Sequence, residues 1–148
     1  HAFVTEDQGL SCDRSAKPYI VDCDYDQAGV LLAHIYGPLN PRAATPTGAF
    51  LAFDQRPFTR DLGDHGLSDT GIVYVPGTCK TKETGFARWA DTNRLVVLFP
   101  QTATGPFNPQ GCWDWWGYTG RDYLTRDAPQ IVAVWRMLER LAAVPAPS

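Results

Sequence analysis

The sequence predicts an α/β layered fold, and three observations carry that expectation. Thr70-Gly-Ile-Val-Tyr-Val75 is rich in β-branched residues and is ended by Pro76, so it reads as a strand. Arg94-Leu-Val-Val-Leu-Phe-Pro100 is apolar at five consecutive positions, the pattern of a strand buried on both faces in the middle of a sheet. Beyond residue 127, the residues Ile131, Val134, Trp135, Leu138 and Leu141 recur at helical spacing, which gives a long helix with one apolar face. Strands that alternate with such helices bury their apolar faces in stacked layers.

The remaining elements follow in chain order. His1 to Gly9, with Glu6 and Asp7, reads as a loop. Residues 24 to 36 read as a helix with Asp24 or Asp26 at its N-cap and Gly37-Pro38 as its stop. Ala28, Leu31, Leu32 and Ile35 would form its core-facing stripe, which leaves His34 off the stripe's centre as a surface histidine. Three prolines between residues 38 and 48 mark a connector, and Ala49 to Phe53 a short strand. Gly85-Phe-Ala-Arg-Trp-Ala-Asp91 makes a helical link. The last helix opens at Asp127-Ala-Pro-Gln130, where Asp127 caps, Pro129 sits in the first turn and Gln130 completes a capping box; Pro145 closes it.

A chain of 148 residues with 44% hydrophobic and 20% charged residues is suited to a single domain with an ordinary core. A net charge of −3, with no basic run, argues against a surface that tracks nucleic-acid phosphates. No apolar run is long enough to span a membrane. The opening His-Ala-Phe is not a leader sequence, so a leader has been removed or the natural start lies elsewhere.

The four cysteines, Cys12, Cys23, Cys79 and Cys112, show no C-x-x-C pairing, so no structural metal is expected. Cys12 and Cys23 close a short loop around Lys17-Pro18-Tyr19 and read as a disulfide; two disulfides among the four cysteines would imply an oxidising compartment. Cys79 and Cys112 either pair with each other or remain as thiols. Gly111-Cys-Trp-Asp-Trp-Trp-Gly-Tyr118 places three tryptophans between two glycines and a tyrosine directly after them. Such a stretch is either a core plug or the wall of an apolar cleft, and the glycines suit a shaped loop.

Several of these strings together resemble one family. Trp89-Ala-Asp-Thr-Asn93, the strand ending Pro100-Gln101, Asn108-Pro-Gln-Gly-Cys-Trp-Asp-Trp115, Ser68-Asp-Thr-Gly-Ile-Val-Tyr-Val-Pro76 and the Cys12 to Cys23 loop before Tyr25-Asp-Gln-Ala-Gly29 occur in the same order as in extracellular poly(3-hydroxybutyrate) depolymerases. The resemblance covers nearly the whole chain. It implies a circularly permuted α/β-hydrolase-like fold, here an incomplete sheet flanked by helices, in a secreted or periplasmic, monomeric serine esterase that needs neither cofactor nor metal and acts on a polyester. In that family a Ser attacks the ester carbonyl, a His takes its proton and an Asp orients the His. His1 stands where the family carries the catalytic His. Tyr118 falls where an aromatic lines the substrate crevice, with Trp113 and Trp116 beside it and the indoles of Trp113, Trp115 and Trp116 divided between core and cleft.

Departures from the family pattern shape the expectation further. No Gly-x-Ser-x-Gly occurs; Gly66-Leu-Ser-Asp-Thr-Gly71 has the wrong spacing and leads into a strand, whereas a nucleophile elbow leads into a helix, so Ser68 is a poor candidate. The family's Ser and Asp lie upstream of its His, so both are expected to be absent from this chain, which alone should be inactive. A family segment is missing near Lys80 to Glu83, which leaves Cys79 and Cys112 as halves of two different family disulfides. Two rival readings remain. One is a noncatalytic polymer-binding module built on the aromatic platform; the other is a polysaccharide-attacking copper enzyme with His1 and either His34 or His65 as ligands.

Overall fold

A computed structural model describes residues 2–76 and 85–143. His1, Cys79, the expected gap near Lys80 to Glu83 and Pro145 fall outside the described residues. The chain forms two compact units, His1–Leu51 with Val73–Leu98, and Ala52–Ile72 with Phe99–Ser148.

In the first unit the expected N-terminal loop is in fact a strand, β1 (Phe3–Thr5). It joins β2 (Leu10–Ser11) and β3 (Ile20–Asp22) in a parallel sheet of order β1-β3-β2. Phe3 lies opposite Ile20 and Thr5 opposite Asp22, while Leu10 lies opposite Val21. Three residues are too few for an alternating pattern to show, which is why β1 reads as loop in the sequence. The Cys12–Cys23 disulfide is present. Its cysteines directly follow β2 and β3, so it clamps the ends of two paired strands and removes on the order of 3 kcal/mol of loop entropy from the unfolded chain.

Helix α1 (Gln27–Tyr36) starts where Asp26 Oδ1 accepts the Gly29 N–H at 2.8 Å and stops at Gly37, whose φ is 80°. Its buried face is not the expected one. Ala28, Gly29 and Leu32 are buried, whereas Leu31 and Ile35 are 44% and 60% exposed. The helix is turned toward its small residues because the indole of Trp89, from α2 (Gly85–Asn93), packs against Gly29. A Cβ on Gly29 would sit 2.6 Å from the indole, and the indole is pinned in place by its Nε1–H donating to Asp26 Oδ2 at 2.9 Å. His34 is exposed, as expected. The proline connector is fastened to α2 by Arg88 Nε–H to the Ala43 carbonyl (2.8 Å) and by Asn40 N–H to Asn93 Oδ1 (2.8 Å).

A second sheet has the order β4-β5-β6, from β4 (Ala49–Asp54), β5 (Thr70–Val75) and β6 (Val97–Phe99). The apolar run at 95–99 was expected in mid-sheet, buried on both faces. Among the described residues β6 is instead an edge strand, half-buried along its length, with Val96 51% exposed. Tyr74 of β5 is fully buried; its hydroxyl donates to Asp91 and accepts the Gly48 N–H at 2.8 Å.

The second unit is centred on Gln55, also fully buried. Its amide bridges backbone on both sides, donating to the carbonyls of Ser68 (2.5 Å) and Gln101 (3.0 Å) and accepting the Gln101 N–H (3.0 Å). Helix α3 (Pro129–Ala142) begins at an Ala128 N-cap with no side-chain cap, so the expected Asp127–Gln130 capping box does not form. The expected apolar face is turned outward as well. Gln130, Ala133 and Met137 are buried, while Ile131, Trp135, Leu138 and Leu141 are exposed. What fixes the rotation is polar: Arg136 donates to the Phe58 carbonyl (3.1 Å) and to both carboxylate oxygens of Asp61, and Gln130 turns inward.

Candidate functional site

The aromatic stretch is a loop folded around one carboxylate. Asp114 Oδ1 accepts the backbone N–H groups of Trp116 (3.1 Å), Gly117 (2.6 Å) and Tyr118 (3.1 Å), and Oδ2 accepts the N–H (2.8 Å) and hydroxyl (2.7 Å) of Thr119. An Asp that gathers successive N–H groups ahead of it is the side-chain mimic of a turn. Gly117 supplies the positive φ, 92°, that lets the chain curl over it. Burial pushes the Asp114 carboxyl up, but the Thr119 hydroxyl and the backbone donors outweigh it and hold the pKa below the usual carboxylate value.

The base of the loop is a second polar knot. Asn108, 3% exposed, accepts the Cys112 N–H on Oδ1 (2.8 Å) and donates through Nδ2 to the Cys112 carbonyl (2.8 Å) and to Tyr118 Oη (3.0 Å). Tyr118 Oη also donates to the Cys112 carbonyl (2.9 Å) and accepts from Gln130 Nε2 (2.7 Å). The Tyr118 hydroxyl therefore faces inward and is fully engaged; what it offers a ligand is ring. Gly66 sits against that ring, where a Cβ would come within 2.5 Å. Burial, the largest influence, raises the Tyr118 pKa.

On this scaffold the indoles face outward. Trp113, Trp115 and Trp116 are 42%, 67% and 41% exposed, so none is a core plug and the expected division between core and cleft does not occur. Trp116 lies 4.9 Å from the Tyr118 ring and 5.3 Å, edge-on, from Trp115. Trp89 and Trp135 use their indole N–H groups on carboxylates, whereas those of Trp113, Trp115 and Trp116 have no partner among the described residues. Three flat apolar faces with three open donors suit a ligand that is apolar along its body and carries carbonyl oxygens.

Among the described residues the other sequence candidates are not assembled into one site. His65 Nδ1 accepts the Leu67 N–H at 3.0 Å, closing its own turn. Ser68 Oγ accepts the Thr70 N–H at 3.4 Å in an extended segment that leads into β5, the wrong setting for a nucleophile elbow, and no hydrogen bond joins it to His65. Cys112 is half-buried and has no disulfide partner among the described residues. No group of three potential metal ligands occurs among the described residues. The residues that sequence reasoning missed are Asp114, Asn108 and Gln130. For Asp114 a signal existed, an Asp three residues before a glycine in a non-helical stretch; for the other two only the fold reveals the role.

No family model matches the chain. A poly(3-hydroxybutyrate) depolymerase of Delftia acidovorans is 38% identical over 172 residues, covering 97% of this chain and 34% of that protein. Over nearly its whole length the chain is similar to part of poly(3-hydroxybutyrate) (PHB) depolymerases. A polyhydroxybutyrate depolymerase of Talaromyces funiculosus is 32% identical, with 90% of this chain and 51% of that protein covered. Among solved structures, PHB depolymerase from Penicillium funiculosum and a serine-to-alanine PHB depolymerase complexed with an R3HB trimer each match with a TM-score of 0.79 at 31% identity. They cover 94% and 95% of this chain, and 56% of theirs. The expected α/β-hydrolase-like fold is thus the fold of its structural neighbours, present here in part. The chain spans between a third and somewhat over half the length of these depolymerases. The Delftia alignment is longer than the 148 residues of this chain, so that relative carries residues inside the matched span with no counterpart here.

Proposed function

We propose that this chain is the part of a secreted or periplasmic polyester hydrolase that carries the general base and the aromatic substrate wall. The observation behind it is the match, over nearly the whole chain, to PHB depolymerases, one of them complexed with an R3HB trimer. The alignment length supports a segment missing from this chain, which we place near residues 80–83. In the intact monomeric enzyme a Ser outside these 148 residues bonds to the ester carbonyl carbon while His1 takes its proton. The carbonyl electron pair moves onto oxygen, where backbone N–H groups hold it, and returns to expel the alcohol, which leaves with the proton from His1. Water repeats the sequence and releases the acid. No cofactor or metal enters this scheme.

Substrate recognition falls to Trp113, Trp116 and the ring of Tyr118. A 3-hydroxybutyrate repeat is uncharged, bears a methyl group and carries one ester carbonyl; the indole faces desolvate the methyl and an open indole N–H donates to the carbonyl. By titration calorimetry with an R3HB trimer, the chain should bind, and Trp113→Ala or Trp116→Ala should weaken binding about 5- to 50-fold each. Absence of binding, or variants that bind like wild type, would remove this reading of the face. The outward indoles also favour the second reading, a noncatalytic polymer-binding module; binding with no hydrolysis even when joined to a nucleophile-bearing segment would select it.

A further inference from the structure

We infer that Gln130 is a positioning residue for the substrate-facing side of the aromatic loop, an inference that rests on the polyester-binding reading above. Gln130 is 4% exposed in the first turn of α3, and its amide has no free capacity on nitrogen. Nε2 donates to Tyr118 Oη at 2.7 Å and to the His65 carbonyl at 3.1 Å, while Oε1 accepts the Asp114 N–H at 2.8 Å.

Asp114 and Tyr118 lie within and beside the indole row. The Asp114 N–H lies between Trp113 and Trp115 in the chain, and Tyr118 is the ring against which Trp116 packs at 4.9 Å. One amide, carried on a regular helix with buried Ala133 and Met137, therefore holds the aromatic loop at two points. Gln130 touches none of the open indole donors. It acts through Tyr118 and Asp114, and its loss would leave a buried hydroxyl and a backbone N–H short of partners.

The test is the affinity of the 148-residue chain for an R3HB trimer, with unfolding midpoints measured alongside. Gln130→Ala should weaken binding about tenfold or more. Tyr118→Phe, which keeps the ring but loses the hydroxyl, should weaken it comparably, and the double variant should lose less than the sum of the two single losses, because both cut the Gln130–Tyr118 bond. Gln130→Glu adds a readout that a merely structural role would not give. Ionised, the carboxylate cannot donate to Tyr118 Oη; protonated, it can. Binding should recover as pH falls through the carboxyl pKa, which burial raises. The titratable neighbours Asp114, Tyr118 and His65 are shared with wild type, which should show no such recovery. A wild type that binds, with Gln130→Ala and Gln130→Glu unchanged or with additive losses, overturns this inference alone. A wild type that does not bind overturns the polyester-binding reading and this inference with it.

Discussion

Asp114→Ala should lower stability by about 4 kcal/mol and abolish trimer binding. One carboxylate accepts five hydrogen bonds from four consecutive residues, and no other side chain replaces it. Charge-assisted bonds contribute about 1.5–3 kcal/mol each when lost singly, but bonds that share one acceptor group are not additive, so the total falls well below the sum. The pH dependence follows from the lowered pKa. A depressed folded-state pKa stabilises fully above the unfolded carboxyl value, about 3.9, and this contribution is lost as pH falls through the folded value. Wild type should therefore weaken on the acid side of pH 4. Asp114→Asn, which cannot ionise, should be flatter over that window in urea melts taken at a series of pH values.

Tyr74→Phe should cost about 3 kcal/mol in the first unit. The phenol is fully buried, donates to Asp91 and accepts the Gly48 N–H, so removing its oxygen leaves a buried donor unpaired. Burial, followed by the hydrogen bond to Asp91, pushes the phenol up to about 12. The same carboxylate is pushed up by burial but held low by Tyr74 and Thr47, whose hydroxyl donates at 3.0 Å. A phenol raised from about 10 in the unfolded chain to about 12 stabilises fully below pH 10, and the gain of about 2–3 kcal/mol disappears as pH rises through 12. Alkaline melts should show that loss in wild type and not in Tyr74→Phe.

The longer elements were legible because their signals are local. The Asp26 cap, the Gly37 stop and the β-branched run at 70–75 each act within a few residues, and the structure puts an element at each. Which face is buried was not legible. On α1 and α3 most of the larger apolar side chains are exposed, with Leu32 and Met137 the buried exceptions, because rotation is set by Trp89 lying on Gly29 and by Gln130 and Arg136 reaching polar partners distant in sequence. Periodicity assumes the apolar stripe decides, and a few well-directed polar contacts overrode it here. The apolar run at 95–99 misled for a related reason: it has the composition of a central strand but pairs on one side among the described residues.

The site divides in the same way. The aromatic cluster stood out by composition, and its outward pose sets aside the core reading. The family resemblance singled out Tyr118, yet the hydroxyl turns out to be a structural anchor. Asn108 and Gln130 carry no sequence signature as anchors, since an amide is chosen for burial by partners that only the fold supplies.

The most direct test of the central claim is to treat the purified 148-residue chain with a fluorophosphonate probe, locate any adduct by peptide mass spectrometry, and assay a short-chain nitrophenyl ester in parallel. A serine hydrolase whose nucleophile lies outside this chain predicts no adduct and no hydrolysis above the uncatalysed rate. Stoichiometric labelling of Ser68, lost in His1→Ala, would contradict it, because the chain would then hold a complete nucleophile and base of its own.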